Sequence, residues 1–155
     1  MQVDLYERIW MWAATVLIVL FIGAIMLTAG EEAIEPPSHV ETIDPTTIST
    51  NPEFANPTII TRPDGSVVVP VVASMFAFAP DPIEVPAHVQ VTFRITSTDV
   101  IHGFDVAGTN ANAMVIPGYV SQFTMTFPTA GRYTITCNEF CGLLHHMMVG
   151  HLVVK

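Results

Sequence analysis

Basic residues are scarce in this 155-residue chain, with five Lys and Arg against fourteen Asp and Glu and a formal charge of −9. So few cations cannot neutralise a run of phosphates, which excludes a nucleic-acid partner. The acidity fits a basic docking partner or a high-salt habitat, and composition alone does not separate the two. Charge of either sign is thin, at 12% of residues against 50% hydrophobic, where a soluble domain carries about 25% charged residues. Cysteine is nearly absent. Two residues, Cys137 and Cys141, exclude the dense disulfide framework that staples small secreted domains. No internal repeat and no low-complexity block is present.

The apolar excess is concentrated in one run, Ile9 to Ala29, 21 residues without a charge. As a helix it extends roughly 31 Å, enough to cross a bilayer core. Trp10 and Trp12 at its start suit a headgroup belt. A cleaved signal peptide is the competing reading, since Leu27-Thr28-Ala29 loosely resembles a cleavage site. Against it, the run exceeds the usual apolar region of about 7–15 residues, and the leading tail with Asp4, Glu7 and Arg8 lacks net positive charge. Residues 1–30 are therefore expected to be a tail and retained anchor. Arg8 precedes the span, Glu31, Glu32 and Glu35 follow it, and no Lys or Arg returns before Arg62. This bias predicts a cytoplasmic N-terminus and an extracytoplasmic remainder.

Residues 31–65 hold six of the twelve prolines, interspersed with Ser, Thr, Asn and acidic residues. That composition predicts an extended linker lying along something else. From Ser66 the texture changes. Val89, Val91, Phe93 and Ile95 alternate with polar residues, as do Phe123, Met125 and Phe127, and Tyr133, Ile135 and Cys137. This is the period of half-buried strands. Val67–Ala73 and Leu152–Val154 add further strands, with Pro80, Pro82, Pro86, Pro117-Gly118 and Gly131 at the turns. Residues 66–155 are thus expected to form an antiparallel sandwich or barrel, in which Cys137 continues the inward face of its strand.

The segment from Cys137 to Met148, CNEFCGLLHHMM, carries the chemistry. It is a loop clamped between two strands, so its side chains can be fixed before a metal arrives. A Cys137–Cys141 disulfide, a zinc site completed by His145 and a remote histidine, and simple packing of His145 and Met148 at the barrel mouth all compete. The thioether argues against zinc and packing and weakens the disulfide reading, because soft sulfur beside thiolates selects copper. A mononuclear blue-copper site uses one thiolate, two imidazoles and a weak axial Met, leaving a second thiolate without a role. Two thiolates can instead bridge two copper ions, with one imidazole on each and weak outer ligands. Such a rigid pair favours fast electron transfer over substrate chemistry. The second imidazole must come from elsewhere. His39 in the linker and His88 in a turn read as solvated, and His102, between Val100-Ile101 and Gly103-Phe104, is the candidate, against the alternative of a satisfied core histidine.

Cys137-x-Glu139-x-Cys141-Gly142-x-x-His145-x-x-Met148 resembles the copper-A signature of haem-copper (cytochrome c) oxidase subunit II. Asp99-Val100-Ile101-His102 resembles the family's upstream ligand motif, and Pro117-Gly118 its intervening turn. The resemblance covers about residues 70 to 155 well, and the anchor in layout, and it is to the short single-span form found in B-type oxidases. It implies a mainly β fold, a cupredoxin-like Greek-key barrel behind one N-terminal transmembrane helix. It implies Cys137 and Cys141 as bridging thiolates, His102 and His145 as terminal imidazoles, and Met148 and the Glu139 carbonyl as weak ligands. It further implies that the Glu139 carboxylate helps hold magnesium at the contact with subunit I. Longer relatives receive electrons through an aromatic segment near the first strand, where this chain offers Phe76 and Phe78.

The expected function is electron input to a terminal respiratory oxidase. An external donor, cytochrome c or a small blue copper protein, would reduce the two-copper centre, and haem in subunit I would then be reduced for oxygen chemistry and proton pumping. Two other readings are a free-standing membrane-anchored copper carrier and the copper-A domain of a nitrous oxide reductase-like system. The latter joins its site to a large propeller domain, for which 155 residues leave no space.

Overall fold

A computed structural model of the chain describes residues 4–31 and 41–155. The chain divides into two compact units, one up to residue 39 and one from residue 40 to Lys155.

The described residues of the first unit form one helix, α1 (Leu5–Glu31). No proline interrupts it, and Leu5–Leu27, 23 residues with a mean hydropathy of 2.4 over an 18-residue stretch, is long and apolar enough to cross a membrane. Trp10, Trp12, Leu17, Phe21 and Ile25 are all exposed around its circumference, so the helix is apolar on every face and suited to a membrane. The one hydroxyl in its middle is satisfied internally, with Thr15 Oγ1 donating to the Met11 carbonyl at 2.8 Å.

The second unit is built from two curled sheets. One holds β3 (Val67–Ser74), β6 (Gln90–Ser97) and β9 (Tyr119–Thr126), flanked by β1 (Glu41–Thr42) and β2 (Ile60–Thr61), with β4 (Ala77–Ala79) also on β3. The other runs in the order β5 (Ile83–Val85), β11 (Val149–Val154), β10 (Gly131–Thr136), β7 (His102–Val106), β8 (Asn112–Val115). The alternating residues face inward as their period predicts. Val91, Phe93, Ile95, Phe127 and Ile135 are buried, and Phe93 stacks on Phe123 at 5.1 Å and meets Phe104 at 5.6 Å.

The sheets are not purely antiparallel as expected. β3 pairs with β6 in parallel over seven residue pairs, from Val67↔Val91 to Ala73↔Ser97, and β5 pairs with β11 in parallel. The reason is the crossover: after β4 the chain passes to the second sheet as β5 and returns as β6, so β6 re-enters in the direction of β3. Short β4 and β5, three residues each, lie among prolines that mask them in the sequence.

The stretch expected to be an extended linker also differs from Glu41 onward. It lies along the barrel itself and packs there. Asp44 caps a 3-10 helix, Pro45–Thr50, by accepting from the Thr46 N–H at 2.9 Å. Ile48 and Phe54 are buried with Val120, against Ile43 and Val72. Arg94 on β6 fastens the segment, binding Glu53 at 2.6 and 3.0 Å, Glu41 at 2.8 Å and Gln122 at 2.8 Å. Three apolar side chains and one guanidinium fork give a Pro-rich stretch enough to bury. The linker residues from 32 to 40 lie outside the described residues.

Candidate metal centre

Strand β10 ends at Thr136 and β11 begins at Val149, and their register, Thr136↔Val149, closes the intervening loop at its base. The Cys137 N–H adds a bond to the Met148 carbonyl at 3.3 Å. A 3-10 turn, His145–Met147, starts where the His145 N–H meets the Gly142 carbonyl at 3.1 Å. Gly142 sits at φ +136°, a conformation that favours glycine, and a Cβ there would stand 3.2 Å from the Phe76 ring.

This scaffold brings together donors from both ends of the loop and from β7. The Sγ atoms of Cys137 and Cys141 are 3.8 Å apart and the cysteines are free and buried, so no disulfide joins them. Cys137 Sγ lies 3.9 Å from His102 Nδ1 and 3.2 Å from the Glu139 carbonyl oxygen. Cys141 Sγ lies 3.6 Å from His145 Nδ1 and 3.7 Å from Met148 Sδ. Donor atoms of His102, Cys137 and Cys141 all fall within 4.8 Å of one another. Each sulfur thus has its own imidazole and its own weaker donor. His102 and Met148 are fully buried, whereas the neighbours that break the ligand spacing, His146 and Met147, are exposed. His88 lies in a turn at φ +60° and is exposed.

The second layer fixes the first. Asp99 Oδ1 accepts from His102 Nε2 at 2.8 Å, which leaves the Nδ1 lone pair facing sulfur. Burial pushes the Asp99 carboxyl up, but hydrogen bonds from His102 and from the Met75 and Val100 N–H groups outweigh it and hold the group below its ordinary value. Burial, reinforced by Cys137, pushes the Cys141 thiol up to about 11, so without a cation it stays protonated near neutrality. Asn138, between the metal loop's first two donors, lies directly over Gly103, where a Cβ would meet its Oδ1 at 1.7 Å. Any side chain at 103 would displace it.

Two soft sulfurs, two imidazoles, a thioether and a carbonyl are a donor set suited to copper and poorly suited to a hard cation. A family model, "Cytochrome C oxidase subunit II, periplasmic domain", matches residues 63–155. A cytochrome c oxidase subunit 2 of Thermus thermophilus is 40% identical over 97% of this chain and 92% of its own length. The chain belongs to the cytochrome c oxidase subunit II family. As a subunit II it is part of a haem-copper terminal oxidase complex, and a chain in a haem-copper terminal oxidase dimer solved by cryo-electron microscopy superposes with a TM-score of 0.69 at 28% identity, covering 97% of this chain and 99% of that one. The periplasmic domain of subunit II of the Bradyrhizobium japonicum oxidase superposes with a TM-score of 0.53 at 18% identity, over 57% of this chain and 83% of that one, and supports the mainly β, cupredoxin-like fold.

Of the two aromatic residues expected at the point of electron input, the structure keeps one near the surface. Phe78 is buried, edge-on to Phe104 at 5.5 Å, and belongs to the core because alternate β4 residues face inward. Phe76 is not fully exposed either, lying over Gly142 and packed against the core. Asp99 was not among the expected site residues, and its signal in the sequence was an acid three residues before the candidate histidine His102. The pairing of Gly103 with Asn138 had no such signal, since only the fold brings the two together.

Proposed function

We propose that this subunit II takes electrons from an external donor at a two-copper centre and delivers them to haem in subunit I. The observation that carries the reading is the division of six donors into two equal sets around two adjacent sulfurs. Cys137 and Cys141 would hold the copper as thiolates, His102 and His145 as imidazoles, and Met148 and the Glu139 carbonyl as weak ligands. Copper bound by these residues would supply one-electron transfer. The buried chain residues do the rest: they exclude water and hold the ligands still, so that no position is left for substrate.

The loop's outer edge supports a permanent partner on that side. Leu143 is 92% exposed and Phe140 79%, with Leu144 and Met147 also exposed beside them. Permanent interfaces are more apolar than transient ones, and this patch suits contact with subunit I. The donor, a cytochrome c or small blue copper protein, would then approach through the Met75–Phe76 turn, where Met75 is exposed. Glu139 is half-buried, and its carboxylate is free to help hold magnesium at the subunit I contact, because a hard cation takes oxygen ligands. The charge asymmetry around α1 supports a cytoplasmic N-terminus and an extracytoplasmic copper domain.

Affinity purification of the full chain from its host's membranes tests the assignment. It should bring down a multi-span haem protein and oxygen consumption driven by the reduced donor. A chain that purifies alone, copper-loaded and rapidly reduced, would make it a free-standing carrier.

A further inference from the structure

Asp99 has two carboxylate oxygens, and each is bound to a different part of the site. Oδ1 accepts from His102 Nε2 at 2.8 Å and from the Val100 N–H at 2.7 Å. Oδ2 accepts from the Met75 N–H at 2.7 Å, 24 residues away in sequence. Ser97 Oγ lies 2.6 Å from the Val100 carbonyl and 3.2 Å from Asp99 Oδ1. Its single hydrogen goes to the nearer acceptor, so His102 and Val100 are the main claimants on Oδ1.

Met75 and Phe76 form the turn between β3 and β4, whose register closes at Ser74↔Ala77. This turn lies over the metal loop. The Phe76 ring stands 3.2 Å and Met75 Sδ 3.7 Å from the position of a Cβ on Gly142, the residue after Cys141. We propose that Asp99 is a positioning residue that ties the orientation of the His102 ring to the Met75–Phe76 turn over Gly142, with a separate carboxylate oxygen for each. One acid thereby sets the imidazole on the Cys137 side and the cover on the Cys141 side. The inference rests on the copper reading above and adds a mechanical link between ligand and cover.

Carboxylate chemistry makes the link specific. An imidazole with its proton on Nε2 faces an acceptor and keeps its Nδ1 lone pair for metal, whereas the other tautomer would set a lone pair against the carboxylate. Asparagine offers one acceptor oxygen, so its amide NH2 must confront either the Met75 N–H or the His102 and Val100 donors. D99N therefore loses one arm and D99A loses both.

The test uses the full chain in detergent, first metal-free and then loaded with copper alone. In metal-free D99A the Met75 amide should exchange with solvent more than about tenfold faster, and the His102 ring nitrogens should show mixed tautomers by ¹⁵N NMR. D99N, the milder change, should show one of these two effects and keep the other arm. On loading, copper affinity should fall about 10–100-fold in D99A and the reduction potential should rise, because the imidazole loses its anionic partner. A folded D99A or D99N with wild-type Met75 exchange and a wild-type His102 tautomer would overturn the proposal, as would an unchanged potential in loaded D99A. Failure of the wild-type chain to take copper would instead refute the copper reading, while the metal-free measurements would still report on the clamp.

Discussion

Arg94→Ala should detach the 41–61 segment from the barrel and lower stability by about 1.5–3 kcal/mol. An exposed ion pair is worth about 0.2–1 kcal/mol, and removing one partner of a fully buried pair costs about 3–5 kcal/mol. The Arg94–Glu53 pair lies between these limits, with side chains 16% and 27% exposed and two hydrogen bonds at 2.6 and 3.0 Å. Glu41, 51% exposed, adds little. At about 2–4 °C per kcal/mol for a chain of this size, the melting temperature should drop by about 3–12 °C. Arg94→Lys keeps the charge but not the fork, so it should fall between. The assay is thermal melting of the full chain in detergent, paired with limited proteolysis of residues 41–61 and a double-mutant cycle with Glu53→Gln. Arg94 also holds the Glu41 carboxyl below its ordinary value, chiefly by hydrogen bonding. A depressed carboxyl contributes stability above its unfolded pKa and loses it as pH falls through the folded value. The gap between wild type and Arg94→Ala should therefore narrow as pH is taken below the ordinary carboxylate range. A variant that melts within about 1 °C of wild type and keeps the segment protease-resistant would refute the reasoning.

His145→Ala or Cys141→Ser should abolish the copper spectrum expected of a binuclear site, whereas His146→Ala and Met147→Ala should leave it recognisable, since both of those side chains face solvent. Optical and paramagnetic spectra of the loaded variants check this, and equal damage at His145 and His146 would contradict it. Met148→Leu should retain copper and shift its potential, measured by redox titration, because a weak ligand tunes more than it holds. Glu139→Gln should leave the copper spectrum nearly unchanged while weakening bound magnesium and slowing electron delivery to haem in the assembled oxidase. Loss of the copper centre in a folded Glu139→Gln chain would make the carboxylate a direct ligand.

Much of this architecture is legible in the sequence where one element carries the whole signal. The burial of Val91, Phe93 and Ile95 follows from a period of two within a single strand. Four of the side chains gathered at the centre, Cys137, Cys141, His145 and Met148, sit on one clamped loop, so their spacing alone announces soft-metal chemistry. His102 is different, lying 35 residues before Cys137, and only its apolar setting and motif pointed to it. What escaped reading depends on distant partners. Arg94 reaches Glu53 and Glu41 across 41 and 53 residues, and no local pattern shows that a Pro-rich stretch will dock. The parallel β3–β6 pairing follows from a crossover through the second sheet, and Phe78 is inward because three-residue β4 places it so. Asp99 joins Met75 to His102 through contacts of which only the nearer, three residues along, had a sequence signal.

A two-copper centre can be read from copper stoichiometry combined with electron paramagnetic resonance of the loaded full chain. Two coppers per chain are expected, with hyperfine splitting from two equivalent nuclei sharing one unpaired electron. One copper per chain with a single-nucleus pattern, or bound zinc with no visible absorption, would contradict this expectation.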